Sequence, residues 1–281
     1  MTIRIIYLLG LGHSGTTLMG RLLNAHSKTI STGGTKNIPL FVKGRKSCTC
    51  GARSPDGCQF WSKTERALEK RGLSLVDLDF GYDNQDNLDL RHLRLYFEAV
   101  LEAAGAEVIV DTSRRRTYFA RLAQVPGVEI IPVHIFKDPR AQYASNKRKG
   151  MGLLRSVWNY NVRGARIRDM KPDGPPVVHV AYEELCRNPR GELQRIMAAS
   201  GLAFEEEQVS AFGEMETHII GGNRMRLDKS ATIRLDENWR RRLNRFEQKA
   251  ATMLGAAAYR RNLEATGKRG DTVLPLAKHG K

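Results

Sequence analysis

The chain has 281 residues, enough for one well-buried α/β domain, and its 41% hydrophobic and 27% charged content excludes an intrinsically disordered chain. Its 46 Lys and Arg against 30 Asp and Glu leave a formal charge of +16, which favours anionic ligands. No nucleic-acid motif accompanies that charge, so nucleic acid is not expected as a partner. The first apolar run, Ile3 to Leu11, is too short for a membrane span and leads straight into a glycine loop. With no signal peptide or span in view, the expected location is the cytoplasm. Four cysteines fit that setting, three of them clustered (Cys48, Cys50, Cys58) and Cys186 apart.

In chain order, Ile3, Ile5, Ile6, Tyr7, Leu8 and Leu9 predict a strand buried on both faces. A helix is predicted from Ser14–Thr16 onward, with Leu18, Met19, Leu22 and Leu23 on one face. Residues 27–60 show no sustained period and read as a long functional loop. Leu93, Phe97, Val100 and Leu101 mark an amphipathic helix ending at Gly105. A strand at 107–110 stops at Asp111. A helix near 117–123, a strand at 128–136 and a basic helix from about Arg140 follow. After the Pro172–Pro176 break come a strand at 177–181 and a helix from about Arg190 to Ser200. A final helix is predicted to carry Trp239, Leu243, Phe246, Ala250 and Leu254 on one stripe. Strands alternating with helices predict a parallel sheet covered on both sides, in a single domain over 1–265 with a basic, flexible tail at 266–281.

Between the first strand and helix lies Gly10-Leu11-Gly12-His13-Ser14-Gly15-Thr16-Thr17, where amide groups and a helix dipole make an anion site. Gly10-x-Gly12-x-x-Gly15 matches a dinucleotide fingerprint. That motif needs an acidic residue about twenty positions on, and residues 28–36 contain none. The same stretch matches a P-loop except that Thr16 replaces the lysine that contacts β- and γ-phosphates, which weakens a kinase or NTPase reading.

Ser14-Gly15-Thr16-Thr17-Leu18 instead resembles the 5′-phosphosulfate loop of the sulfotransferase family that uses 3′-phosphoadenosine 5′-phosphosulfate (PAPS). A donor with a single 5′-phosphate needs no such lysine. Phe136-Lys137-Asp138-Pro139-Arg140 with Ser145 resembles the family's 3′-phosphate site, with lysine where arginine is usual. Tyr182-Glu183-Glu184-Leu185 resembles the segment whose tyrosine lies near the adenine. His218 through Arg226, followed by Trp239, resembles a C-terminal block of the bacterial branch. Thr35-Lys36-Asn37, Cys48-Thr49-Cys50-Gly51 and Cys58-Gln59-Phe60-Trp61 resemble that branch's acceptor-side loop.

The resemblance implies a three-layer α/β fold, a parallel sheet flanked by helices with a P-loop-like nucleotide site. It implies sulfuryl transfer from PAPS to a hydroxyl or amine acceptor whose identity is not legible. Gly12, His13, Ser14, Gly15, Thr16 and Thr17 are expected to hold the 5′-phosphate. Lys137 and Ser145 are expected at the 3′-phosphate, Tyr182 at the adenine, and Arg224 and Arg226 towards the 3′-phosphate end. His13 and Arg114 stand where relatives carry catalytic cations. The family's Gly-Glu pair reads Gly33-Gly34 here, so the usual carboxylate base is missing and a non-catalytic or impaired nucleotide-binding protein stays open. Three thiols fall short of a four-ligand zinc site, so no metal is expected. Oligomeric state is not legible.

Overall fold

The computed structural model describes residues 2–80, 89–230 and 232–268, the side chain of Arg224 excepted. Strand β1 (Ile3–Leu9) leads through the glycine loop to α1 (Thr16–Asn24) and β2 (Thr29–Gly33). Helices α2 (Ile38–Val42), α3 (Gln59–Glu69) and α4 (Leu90–Ala104) precede β3 (Val108–Arg114) and α5 (Arg116–Leu122). Strand β4 (Val128–Phe136) is followed by α6 (Pro139–Lys147), α7 (Leu153–Trp158) and α8 (Gly164–Arg168). Then come β5 (Val178–Ala181), α9 (Tyr182–Arg187), α10 (Pro189–Ala199), α11 (Glu207–Ser210), α12 (Trp239–Arg242) and α13 (Arg245–Glu264).

The strands form one parallel sheet in the order β2-β3-β1-β4-β5. Period-2 alternation along β1 feeds two cores. Ile3, Ile5, Tyr7 and Leu9 pack with α3, α4 and α5, whereas Ile6 and Leu8 pack with α1 and α10. Each such side chain contributes roughly 1.5–3 kcal/mol by burial, which fixes the sheet as the middle layer of three.

Three expectations change. The stretch read as loop contains β2, which completes the sheet edge; its Thr-Ile-Ser-Thr-Gly sequence hides a strand because its burial is met by polar partners, such as Asn24 Oδ1 accepting from Ser31 N at 2.6 Å. Strand β3 does not stop at Asp111 but runs to Arg114, since its polar end still pairs with β1. The final helix is two helices, because Asn244 forms a capping box with Glu247 and starts α13 afresh. That restart shifts the phase: Phe246 and Leu254 are exposed, and Ala251, Gly255, Ala258, Tyr259 and Asn262 form the buried face. Of the expected tail, Thr266 O accepts from Arg195 at 3.1 Å and Lys268 pairs with Glu192; the remainder, 269–281, lies outside the described residues. Among the described residues no helix is long and apolar enough to cross a membrane.

Candidate active site

The strand order reverses at β1, so connections leave its neighbourhood in opposite directions and a crevice opens at the C-terminal strand ends. The sequence candidates collect there: the glycine loop after β1, Arg114 closing β3, Lys137 after β4 and Tyr182 after β5.

Close approach explains the glycines. A Cβ on Gly10 would lie 2.5 Å from Ser14 Oγ and 2.6 Å from the Ile135 carbonyl. Gly15, at φ 111°, is the N-cap of α1, and a Cβ there would lie 2.6 Å from the Tyr182 ring. Helix α1 has neither a side-chain cap nor an acidic residue in its first turn. Its first amides and dipole are thus left for an external anion. Ser14 Oγ is buried and has no hydrogen-bond partner among the described residues. It borders a cavity of about 10 Å³ shared with Lys137 and Gln142. Gln142 Nε2 donates to Gly12 O at 2.7 Å and so ties the loop to α6. An orphaned hydroxyl beside an uncapped helix start fits a phosphate group.

His13 (φ 69°) and Arg114 (φ 67°) are the two non-glycine residues with positive φ among those described. That left-handed conformation costs about 1–2 kcal/mol each, and such strain concentrates at functional sites. Burial holds the His13 pKa below its ordinary value, and the cations Lys137, Arg148, Arg114 and Lys149 lower it further. The imidazole is therefore neutral at neutral pH. Arg114 reaches back across the loop, its Nη1 3.8 Å from where a Gly12 Cβ would sit.

Lys137 is buried at 6% exposure, and its Nζ donates to Ser145 Oγ at 3.0 Å. Ser145 Oγ in turn donates to Ala141 O at 2.9 Å. The strand-end cation and the hydroxyl eight residues on converge as the spacing suggested. Burial lowers the Lys137 pKa, opposed by Glu183, Asp236 and Asp138. Glu183 was missed as a site residue: its Oε1 accepts from Asp138 N at 2.9 Å, holding the turn that carries Lys137. Its signal in the sequence was an acidic residue opening the helix after β5. Gln142 was missed too, though it sits three positions before Ser145 on the same helix. The Lys137 ammonium lies 5.8 Å from the Tyr182 ring centroid, and the Tyr182 hydroxyl donates to Arg234 O at 3.3 Å.

Arg226 stands apart from this pair. It lies in the 3₁₀ turn Arg224–Leu227, its Nη1 donates to Gly222 O at 3.4 Å, and no hydrogen bond among the described residues joins it to Lys137 or Ser145. Arg21 of α1 holds the turn through the carbonyls of Met225 (3.1 Å), Asp228 and Ser230 (3.4 Å). Trp239 lies between Arg140 and Arg240, whose guanidinium carbons are 4.1 and 4.6 Å from its ring centroid.

On the other side of the loop, Gly33 ends β2 at φ 87°, and a Cβ there would lie 3.0 Å from Ile220 O. Gly34 differs: its φ of −91° and ψ of 125° suit any residue, and the nearest atom to an added Cβ is 3.4 Å away. Ser113 Oγ accepts from Thr35 N at 3.1 Å and joins this segment to β3. Asp111 is buried in the middle of β3. Its Oδ1 accepts from Ser113 N at 2.6 Å, its Oδ2 has no hydrogen-bond partner among the described residues, and burial pushes its pKa up to about 7.

No curated protein sequence matches the chain. Among solved structures it is similar to the sulfotransferase domain of the Synechococcus PCC 7002 olefin synthase, at 19% identity and TM-score 0.47, covering 95% of this chain and 94% of that one. It is also similar to the sulfotransferase domain of the curacin biosynthetic pathway (17% identity, TM-score 0.48, 90% and 97% coverage). A Mycobacterium avium sulfotransferase is a third (15%, TM-score 0.44, 92% and 76%). The model of the Sulfotransferase family matches residues 6–206, a span holding the glycine loop, Arg114, Lys137, Ser145 and Tyr182, and the chain belongs to that family.

Proposed function

We propose that the chain transfers a sulfuryl group from PAPS to a hydroxyl or amine acceptor by in-line displacement. One observation carries the reading: a lysine-free glycine loop at the start of α1 and the Lys137–Ser145 pair, 3.0 Å apart, share one end of the sheet. A nucleotide with one phosphate at the 5′ position and another on the ribose has use for both.

The donor supplies the sulfuryl group and leaves with its bridging oxygen on the 5′-phosphate. The amides around Gly12–Thr17 and the Ser14 hydroxyl bind that phosphate. Lys137 and Ser145 bind the 3′-phosphate, and the Tyr182 ring flanks the adenine. Arg226, on its separate turn, serves the ribose-phosphate end when the nucleotide is in place; the Arg224 side chain, expected at the same end, lies outside what the structure describes. His13, neutral in the free protein, donates an N–H to the bridging oxygen, while the Arg114 guanidinium offsets charge on the sulfuryl oxygens. None of these roles uses a metal.

The test is a thermal-shift panel. 3′-Phosphoadenosine 5′-phosphate (PAP) should raise the melting temperature far more than ADP, ATP or NAD, and equal stabilisation by ATP would overturn the reading. Gly34 favours a second reading, a nucleotide-binding chain with impaired transfer. Turnover of PAPS by the unmodified chain against any hydroxyl or amine acceptor dismisses it.

A further inference from the structure

The acceptor-side loop brings three thiols to a histidine that lies 160 positions further along the chain. Cys58 Sγ is 4.0 Å from Cys48 Sγ and 3.3 Å from His218 Nδ1, and Cys48 Sγ is 3.9 Å from the same nitrogen. With Cys50 included, all four potential ligand atoms lie within 4.8 Å of one another. A tetrahedral zinc ion with ordinary Zn–S and Zn–N bonds sets neighbouring ligand atoms about 3.5–3.8 Å apart. Small rotations of these side chains meet that spacing.

The surroundings are those of a supported site. Cys48 and Cys58 are buried, and Cys50 closes the cluster from the solvent side. Burial raises the Cys48 and Cys58 thiol pKa values, and nearby backbone amides, Cys50 at Cys48 and Trp61 and Phe60 at Cys58, act the other way. Cys58 is also the N-cap of the eleven-residue α3, where the helix dipole favours a thiolate. His218 presents Nδ1 to the sulfurs, while its Nε2 faces Glu216 Oε1 at 3.5 Å, a carboxylate placed as the outer partner of a ligating imidazole. Phe60 stacks on the imidazole at 5.1 Å and 12°, and Trp61 Nε1 donates to His218 O at 3.1 Å, which fixes the ring.

We propose that Cys48, Cys50, Cys58 and His218 form a closed structural zinc site that staples residues 217–220 to the acceptor-side loop. Binding releases three thiol protons to solvent and leaves three thiolates and one neutral imidazole around the dication, with no redox change. All four positions are taken by protein, so the ion has no open position for substrate. The staple reinforces hydrogen bonds that already join these segments: Thr49 N donates to Ile219 O at 3.1 Å, Ile219 N to Thr49 Oγ1 at 3.0 Å and Ile220 N to Thr32 O at 3.2 Å. Ile220 bridges both Gly33 and Cys48, so the ion fixes the wall beside Gly33-Gly34. The sequence alone offered three ligands; the fold supplies the fourth.

The full chain, expressed with zinc under reducing conditions and purified without chelating resin, should contain one zinc per chain by mass spectrometry of the metal. Cobalt substituted for it should show tetrahedral d–d bands with thiolate charge transfer. Cys50→Ser and His218→Ala should each lose the ion or weaken that charge-transfer band, while Cys186→Ser keeps both. Should a variant fail to fold, zinc released from the unmodified chain by a mercurial thiol reagent reads the same site. Fewer than about half an ion per chain, a Cys48–Cys58 disulfide in the peptide map, or stoichiometric zinc in both ligand variants would overturn the proposal.

Discussion

Replacing Lys137 with methionine keeps the aliphatic stem and removes the charge at the proposed 3′-phosphate contact. The ammonium is 6% exposed and already oriented by Ser145 Oγ at 3.0 Å, so little ordering is needed when an anion arrives. A charge-assisted hydrogen bond of this kind contributes about 1.5–3 kcal/mol, and its loss weakens binding roughly 10- to 140-fold. The assay is isothermal titration at fixed ionic strength with two ligands, PAP and AMP, which differ by the 3′-phosphate. PAP should lose that factor in Lys137→Met, and AMP should change by less than about twofold. The pH dependence supplies a second readout. Burial lowers the Lys137 pKa, so the cation, and PAP affinity with it, is lost as pH rises through a value below the ordinary lysine range. Lys137→Arg should abolish that alkaline decline, because guanidinium stays charged. Equal losses for both nucleotides would show that Lys137 supports the fold and contacts no ribose phosphate.

His13 gives the opposite limb: its pKa lies below the ordinary 6.5, so PAP affinity should be flat above that pH and strengthen as pH falls through the lowered value, an effect absent in His13→Ala. The same variant should lower kcat by about 10²–10³-fold if the imidazole donates to the leaving oxygen, measured by PAP release. Gly34→Glu should fold with an unchanged melting temperature, given its extended φ and ψ, and should raise kcat if a carboxylate base limits transfer; Gly33→Glu, at φ 87°, should be destabilised by over about 1 kcal/mol. Arg114→Gly and Arg114→Ala both remove the guanidinium, yet the glycine variant should be more stable by about 1 kcal/mol in urea titration, because only it relieves the positive φ. Asp111→Asn should raise stability at pH 8 and leave it unchanged at pH 4. The folded-state pKa of about 7 lies above the unfolded one, so the native state holds the extra proton, and stability is lost as pH rises through that window.

The elements carrying the glycine loop and the Lys137–Ser145 pair were legible because they are apolar runs followed by glycine or proline. Strands β1 and β4 are such runs, and the eight-residue offset from Lys137 to Ser145 places a hydroxyl of α6 beside the strand end. Three other features were not, each for a physical reason. Strand β2 buries threonine and serine instead of aliphatic side chains, so it carries no period-2 signal. Helix α13 turns alanines and glycine inward because Pro139 and Tyr160 leave no room for more, a Cβ on Gly255 meeting Pro139 Cβ at 2.6 Å. A stripe of large residues therefore pointed to the wrong face. His218 joins the thiols only through tertiary contact, which no local spacing encodes.

Electrostatics connects the groups around the glycine loop. Lys137, Arg148, Arg114 and Lys149 all act on His13 with the same sign. Close by, Asp138 is paired with Arg140, and Glu183 accepts from the Asp138 amide while both acids act on Lys137. Cations gathered this closely gain from a ligand carrying several negative charges. An uncapped helix start adds a partial positive charge to the same point. The strained φ of His13 and Arg114 acts in the same direction, since both residues are fixed towards the loop before any ligand arrives. On the proposed reading, affinity for PAP should fall steeply with added salt while affinity for uncharged adenosine does not.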